Sequence, residues 1–113
     1  MNSYRTENYI KDKVIVITGA SSGFGKETAK KAAELGGKVV LAARREELLR
    51  EITQEIRESG GEASYIKTDV RVKDQVNAMA KFAVDTYGRI DVLVNDADAK
   101  IIKAYDGEIF YHR

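Results

Sequence analysis

The chain has no cysteine and a single histidine. Without cysteine there is no disulfide, no thiolate nucleophile and no cysteine metal site, and one imidazole, His112, is too few for a histidine metal cluster. A carboxylate-only metal site stays open, but no residue pattern suggests one. No apolar run reaches the length of a membrane span, and the first residues, MNSYRTENYIKDK, are polar with no apolar h-region. The expected location is the cytoplasm. An excess of charge is missing too: 19 basic residues stand against 18 acidic ones, which provides no bulk field for nucleic acid or an anionic membrane. What remains is the composition of an ordinary globular protein, 43% hydrophobic and 33% charged, and 113 residues are read as one domain.

The informative stretch is VIVITGASSGFG, residues 14–25. Val14 to Thr18 form a β-branched apolar run of the kind expected of a central parallel strand covered on both faces. Three glycines follow. Gly19 allows a sharp exit from the strand, Gly23 lets backbone approach a phosphate with no side chain between, and Gly25 permits close helix-to-strand packing. A helix starting there points unpaired N–H groups and the positive end of its dipole at the turn, which makes an anion site suited to a pyrophosphate. A turn needing only geometry would use one or two glycines. Gly19, Ala20, Ser21, Ser22 and Gly23 also spell G-x-S-x-G, the nucleophile elbow of a hydrolase, with Asp98 and His112 following in triad order. Against that alternative, the histidine stands next to the last residue, and an elbow has no use for Gly25.

Helical and strand patterns then alternate. Residues 24–35 hold good helix formers with Ala29, Ala32 and Ala33 on one side and Lys26, Lys30 and Lys31 towards solvent, closed by Gly36 and Gly37. Residues 38–43, KVVLAA, read as a second strand. Leu48, Leu49, Ile52 and Ile56 have helical spacing as core residues, with Ser59, Gly60 and Gly61 as the stop. Residues 62–68 read as a third strand, 73–87 as a third helix stopped by Gly88, and 90–95 as a fourth strand.

TGASSGFG after an apolar strand resembles the cofactor turn of the short-chain dehydrogenase/reductase family, whose form T-G-x-x-x-G-x-G is matched by Thr18, Gly19, Gly23 and Gly25. The resemblance runs to Asp98 and implies an α/β, Rossmann-like three-layer fold with a parallel sheet. It implies a dinucleotide held by the turn, through Gly19, Ser21, Ser22, Gly23, Phe24 and Gly25. At the end of the second strand an acid selects NAD and an arginine meets the 2′-phosphate of NADP. The chain has Ala43 where NAD-preferring members carry aspartate, followed by Arg44 and Arg45, so NADP(H) is expected over NAD(H). A solvated helix start explains the same two arginines. Ser22 stands where many NADP-preferring relatives carry a further basic residue. Asp69 and Val70 match the family's Asp-Val, whose carboxylate is associated with the adenine amino group; a turn or capping role for Asp69 is compatible with this. Asn95 and Ala97 complete the implied cofactor contacts.

The pattern then departs from the family. Asn-Asn-Ala-Gly is replaced by Asn95, Asp96, Ala97 and Asp98, adding two negative charges beside the cofactor path, so weakened binding is expected. The family's catalytic serine, its tyrosine-lysine pair and supporting asparagine have no counterpart past Asp98. Tyr9 and Lys13 match Y-x-x-x-K but abut the first strand, which reads as coincidence. Residues 100–113 hold two β-prone runs around Asp106 and Gly107, a hairpin signal in which Tyr105, Phe110 and Tyr111 are sheet residues. The hairpin would pair with the fourth strand or with another copy of the chain. The expectation is four parallel strands, three helices and a C-terminal hairpin: the cofactor half of an NADP(H)-dependent oxidoreductase, unable to catalyse by the family mechanism alone. Catalysis with a complementing chain, or a scaffold associating through its sheet edge, are the alternatives.

Overall fold

The computed structural model describes residues 9–21, 23–95, 100–105 and 108–112, the last two segments by their backbone course. In chain order they form β1 (Val14–Thr18), α1 (Gly23–Glu34), β2 (Lys38–Ala43), α2 (Glu46–Glu58), β3 (Glu62–Lys67), α3 (Lys73–Tyr87), β4 (Val92–Asn95), β5 (Lys100–Tyr105) and β6 (Glu108–His112). The first four strands make one parallel sheet in the order β3-β2-β1-β4.

The uninterrupted apolar run of β1 is explained by burial on both faces. Successive strand residues point to opposite sides. Ile15 and Ile17, with Val39, Leu41 and Ala43, face the layer built from Ala29, Ala32 and Ala33 of α1 and Leu49, Ile52 and Ile56 of α2. Val16, Val40 and Ala42 face the other way, onto Val76, Met79, Ala80 and Ala83 of α3. Ile17 and Leu41 are fully buried, and each such side chain contributes about 1.5–3 kcal/mol of transfer free energy. Right-handed crossovers account for the layering: β1, β2 and β3 step across the sheet one way with α1 and α2 on one face, and the return to β4 puts α3 on the other.

Element ends differ slightly from the sequence reading. Helix α1 starts at Gly23 and ends at Glu34. Strand β3 stops at Lys67, and just beyond it Thr68 donates its N–H to the Ala43 carbonyl at 2.7 Å and its hydroxyl back to the Ile66 carbonyl at 3.1 Å. Strand β4 begins at Val92, after Asp91 has accepted a 2.8 Å hydrogen bond from the Val14 N–H on its carboxylate. Lys26 and Leu48 are half-buried. The expected hairpin is present as β5 and β6, paired antiparallel. Among the described residues it forms a two-stranded sheet of its own, with β6 alongside α3, and does not extend the parallel sheet at β4.

Candidate functional site

Strand order reverses at β1: the chain leaves it towards β2 on one side, while β4 lies on the other. The crevice beyond the C-terminal ends of β1 and β4 is the topological switch point of the sheet, the position at which open α/β sheets present ligand sites. The glycine turn opens into it.

Gly19 leaves β1 with φ 66° and Gly23 enters α1 with φ 43°, values that side-chain-bearing residues rarely adopt. A Cβ built on Gly23 meets no atom within 4 Å, so its backbone faces open space. Gly25, in contrast, is buried against the sheet. Ala20 anchors the turn by donating its N–H to the Ala42 carbonyl at 3.2 Å, and Ser21 is half-buried. Phe24 is 70% exposed on the first turn of α1. That turn carries no acidic residue of its own, so no side chain within it offsets the positive end of the helix. Across the crevice, the Thr18 hydroxyl donates to Asn95 Oδ1 at 3.0 Å, joining the ends of β1 and β4.

Arg44 and Arg45 follow β2 on the same edge and are both exposed; Arg45 is the N-cap of α2, in an extended conformation without a side-chain cap. Asp69 lies just beyond β3. Its carboxylate accepts from Arg71 three times: from Nε at 3.0 Å, from Nη2 at 2.9 Å and from the backbone N–H at 3.0 Å. The Asp69 N–H donates to Gln75 Oε1 at 2.8 Å, and Val72 closes the turn by donating to the Asp69 carbonyl at 3.0 Å. The side-chain and backbone hydrogen bonds from Arg71 hold the Asp69 carboxyl down at about 2, with the charges of Arg71 and Arg44 lowering it further. Val70 beside it is buried.

The structure thus gathers Gly19, Ser21, Gly23, Phe24, Gly25, Arg44, Arg45, Asp69, Val70 and Asn95 at the C-terminal edge of one sheet. Ser22, Asp96, Ala97 and Asp98 lie outside the described residues, as do the side chains of Tyr105, Phe110, Tyr111 and His112. Tyr9 and Lys13 precede β1 and sit at the end of the strand opposite the glycine turn, with Lys13 Nζ 5.9 Å from the Tyr9 ring centroid. Sequence reasoning missed Arg71 and Gln75 as partners of Asp69. The signal available was only an arginine two residues on, whose contact depends on how the turn closes. Among the described residues, no group of three or more His, Asp or Glu side chains is arranged to hold a metal, and no helix is long and apolar enough to cross a membrane.

Known proteins are similar to this chain in sequence and fold. A family model described as short chain dehydrogenase matches residues 13–106, past Asp98 where the motif resemblance ends. An uncharacterised oxidoreductase of Bacillus subtilis, YxnA, is 54% identical over 88 residues, covering 78% of this chain and 25% of the relative. A solved metagenomic short-chain oxidoreductase in complex with NADP is 43% identical with a TM-score of 0.74, covering 78% of this chain and 40% of that one. A short-chain dehydrogenase/reductase from Burkholderia phymatum in complex with NAD is 42% identical with a TM-score of 0.73, covering 74% and 30%. The chain belongs to the short-chain dehydrogenase/reductase family. It spans between a quarter and two fifths of the length of these relatives.

Proposed function

We propose that this chain is the dinucleotide-holding unit of an NADP(H)-dependent oxidoreductase, and that residues 1–113 do not carry out hydride transfer by themselves. The observation that carries the reading is the open, acid-free glycine turn, with Gly23 backbone exposed, at the switch point of the sheet. When bound, the nicotinamide gives or takes the hydride. Residues 1–98 supply the rest by binding and orientation.

The α1 N-terminus offers the free N–H groups of its first turn to the pyrophosphate, and Gly19, Ser21, Ser22, Gly23, Phe24 and Gly25 frame that contact. Arg44, with Arg45 behind it, meets the 2′-phosphate, since no acid stands at the end of β2 to receive a ribose hydroxyl. Asp69 accepts from the adenine amino group while Val70 backs the base. Asn95, tied to Thr18, and Ala97 border the ribose. The NADP complex of a relative 43% identical and the NAD complex of one 42% identical support a dinucleotide here, and the reading of NADP over NAD rests on Arg44 and the missing acid after β2.

Fluorescence titration of the purified chain with NADPH and NADH tests this. Saturable binding that favours NADPH, with the preference lost in Arg44→Ala, is expected. No saturable binding of either nucleotide would overturn it and leave the fold as a scaffold.

A further inference from the structure

The turn after β3 closes through backbone groups and Gln75. Val72 already donates to the Asp69 carbonyl at 3.0 Å, the Arg71 backbone N–H to the Asp69 carboxylate at 3.0 Å, and the Asp69 N–H to Gln75 Oε1 at 2.8 Å. The ion pair is also exposed on the arginine side, 58% against 23% for Asp69, where such pairs add little to stability. What the guanidinium does alter is the carboxylate. Nε at 3.0 Å takes one oxygen and Nη2 at 2.9 Å the other, a two-point fork that removes rotation of the carboxylate plane. An ionised carboxylate has roughly four acceptor positions. With the backbone bond included, three are filled.

We propose that Arg71 is a base-positioning residue: by forking Asp69 it holds the carboxylate in one orientation with one acceptor position left, directed at an exocyclic amino group of the bound purine. The inference rests on the dinucleotide reading above and assigns to this site a discrimination between 6-amino and 6-oxo purines. An amino group donates to the remaining position. A 6-oxo group brings a second acceptor against the first and leaves that fourth position unfilled, and a site built around such a hydrogen bond rejects the wrong partner more strongly than an apolar pocket does. A carboxylate free to rotate would turn to water and lose the distinction.

The test is fluorescence titration of the full chain with NADPH and with its hypoxanthine analogue, which replaces the adenine amino group by a carbonyl. Wild type is expected to prefer NADPH by about tenfold, the size of one directed hydrogen bond. Arg71→Ala and Arg71→Lys are both expected to bring that ratio to within about twofold of unity, because lysine keeps the charge but not the fork. The Arg71 side chain is exposed, so in both variants the thermal midpoint without nucleotide should be little changed. An unaltered base ratio in Arg71→Ala, or a full ratio in Arg71→Lys, would overturn the orienting role. Failure of wild type to bind NADPH at all would overturn the dinucleotide reading itself, and the two failures are separated by that first titration.

Discussion

Asp69 and Thr53 show opposite degrees of polar satisfaction. Asp69 accepts three hydrogen bonds on its carboxylate and its carboxyl is held at about 2, chiefly by the Arg71 side-chain hydrogen bonds. Because the folded value lies below the ordinary 3.8, the interaction is fully present above that ordinary value and is lost as the pH falls through about 2. Carbon-13 NMR of the Asp69 carboxyl should therefore show a midpoint near 2, and Arg71→Ala should move it up towards 3.8. Thr53 is the opposite case. Its hydroxyl is buried in α2 without a hydrogen-bond partner, while the residue is 1% exposed. Thr53→Val keeps the shape and removes the unpaired group, so it should stabilise the fold by about 1 kcal/mol, read as a rise in the midpoint of urea unfolding.

At the scale of elements, the closures of α1 and α2 share one geometry. Gly36 and Gly37 donate to the carbonyls of Ala33 and Ala32 at 3.0 Å each, and Gly60 and Gly61 to those of Arg57 and Ile56 at 3.0 and 2.9 Å. This is the paired-bond stop that satisfies the last carbonyls of a helix. The second glycine of each pair has no room for a side chain, since a Cβ on Gly37 would lie 2.6 Å from Ile15 Cδ1 and one on Gly61 2.8 Å from Ile56 Cγ2. Gly37→Ala should cost about 1–3 kcal/mol by overpacking, measured by chemical denaturation. Both stops were legible in the sequence, because two adjacent glycines after a helical pattern leave few alternatives. The start of β4 was not. Asp91 reads as part of the strand 90–95, yet its carboxylate serves the Val14 N–H at 2.8 Å and Arg89 Nε at 2.8 Å. Burial pushes the Asp91 carboxyl up, and those two hydrogen bonds outweigh it and bring it below the usual range. Asp91→Ala should cost about 1–2 kcal/mol by leaving the first amide of β1 unpaired.

Over the whole molecule, the α/β layering was readable from β1 alone, since an unbroken apolar strand demands cover on both faces and period-two alternation assigns Val16 to one layer and Ile15 and Ile17 to the other. The glycine spacing likewise located the turn at the sheet edge. Arg71 and Gln75 were not readable, because a contact two or six residues away in a turn depends on φ and ψ that no periodic pattern specifies. The side of the molecule taken by β5 and β6 was equally closed to sequence: strand-forming residues say that a hairpin forms, not which surface it meets. A ligand that binds only the folded chain raises its stability by mass action. NADPH at 100 times its dissociation constant should add about 2.7 kcal/mol in a thermal shift, and NADH at the same concentration less.

The central position of β1 also fixes an order of events during synthesis. Its partner β2 follows within one helix, but its other partner, β4, pairs Ile15 with Val92 and Thr18 with Asn95. From the end of β2 to the end of β4 the ribosome must add about fifty residues, roughly three to ten seconds at ordinary elongation rates. For that interval β1, an unbroken apolar strand, keeps one hydrogen-bonding edge open. The nascent chain is then a template for unwanted strand addition until Val92 to Asn95 pair along that edge.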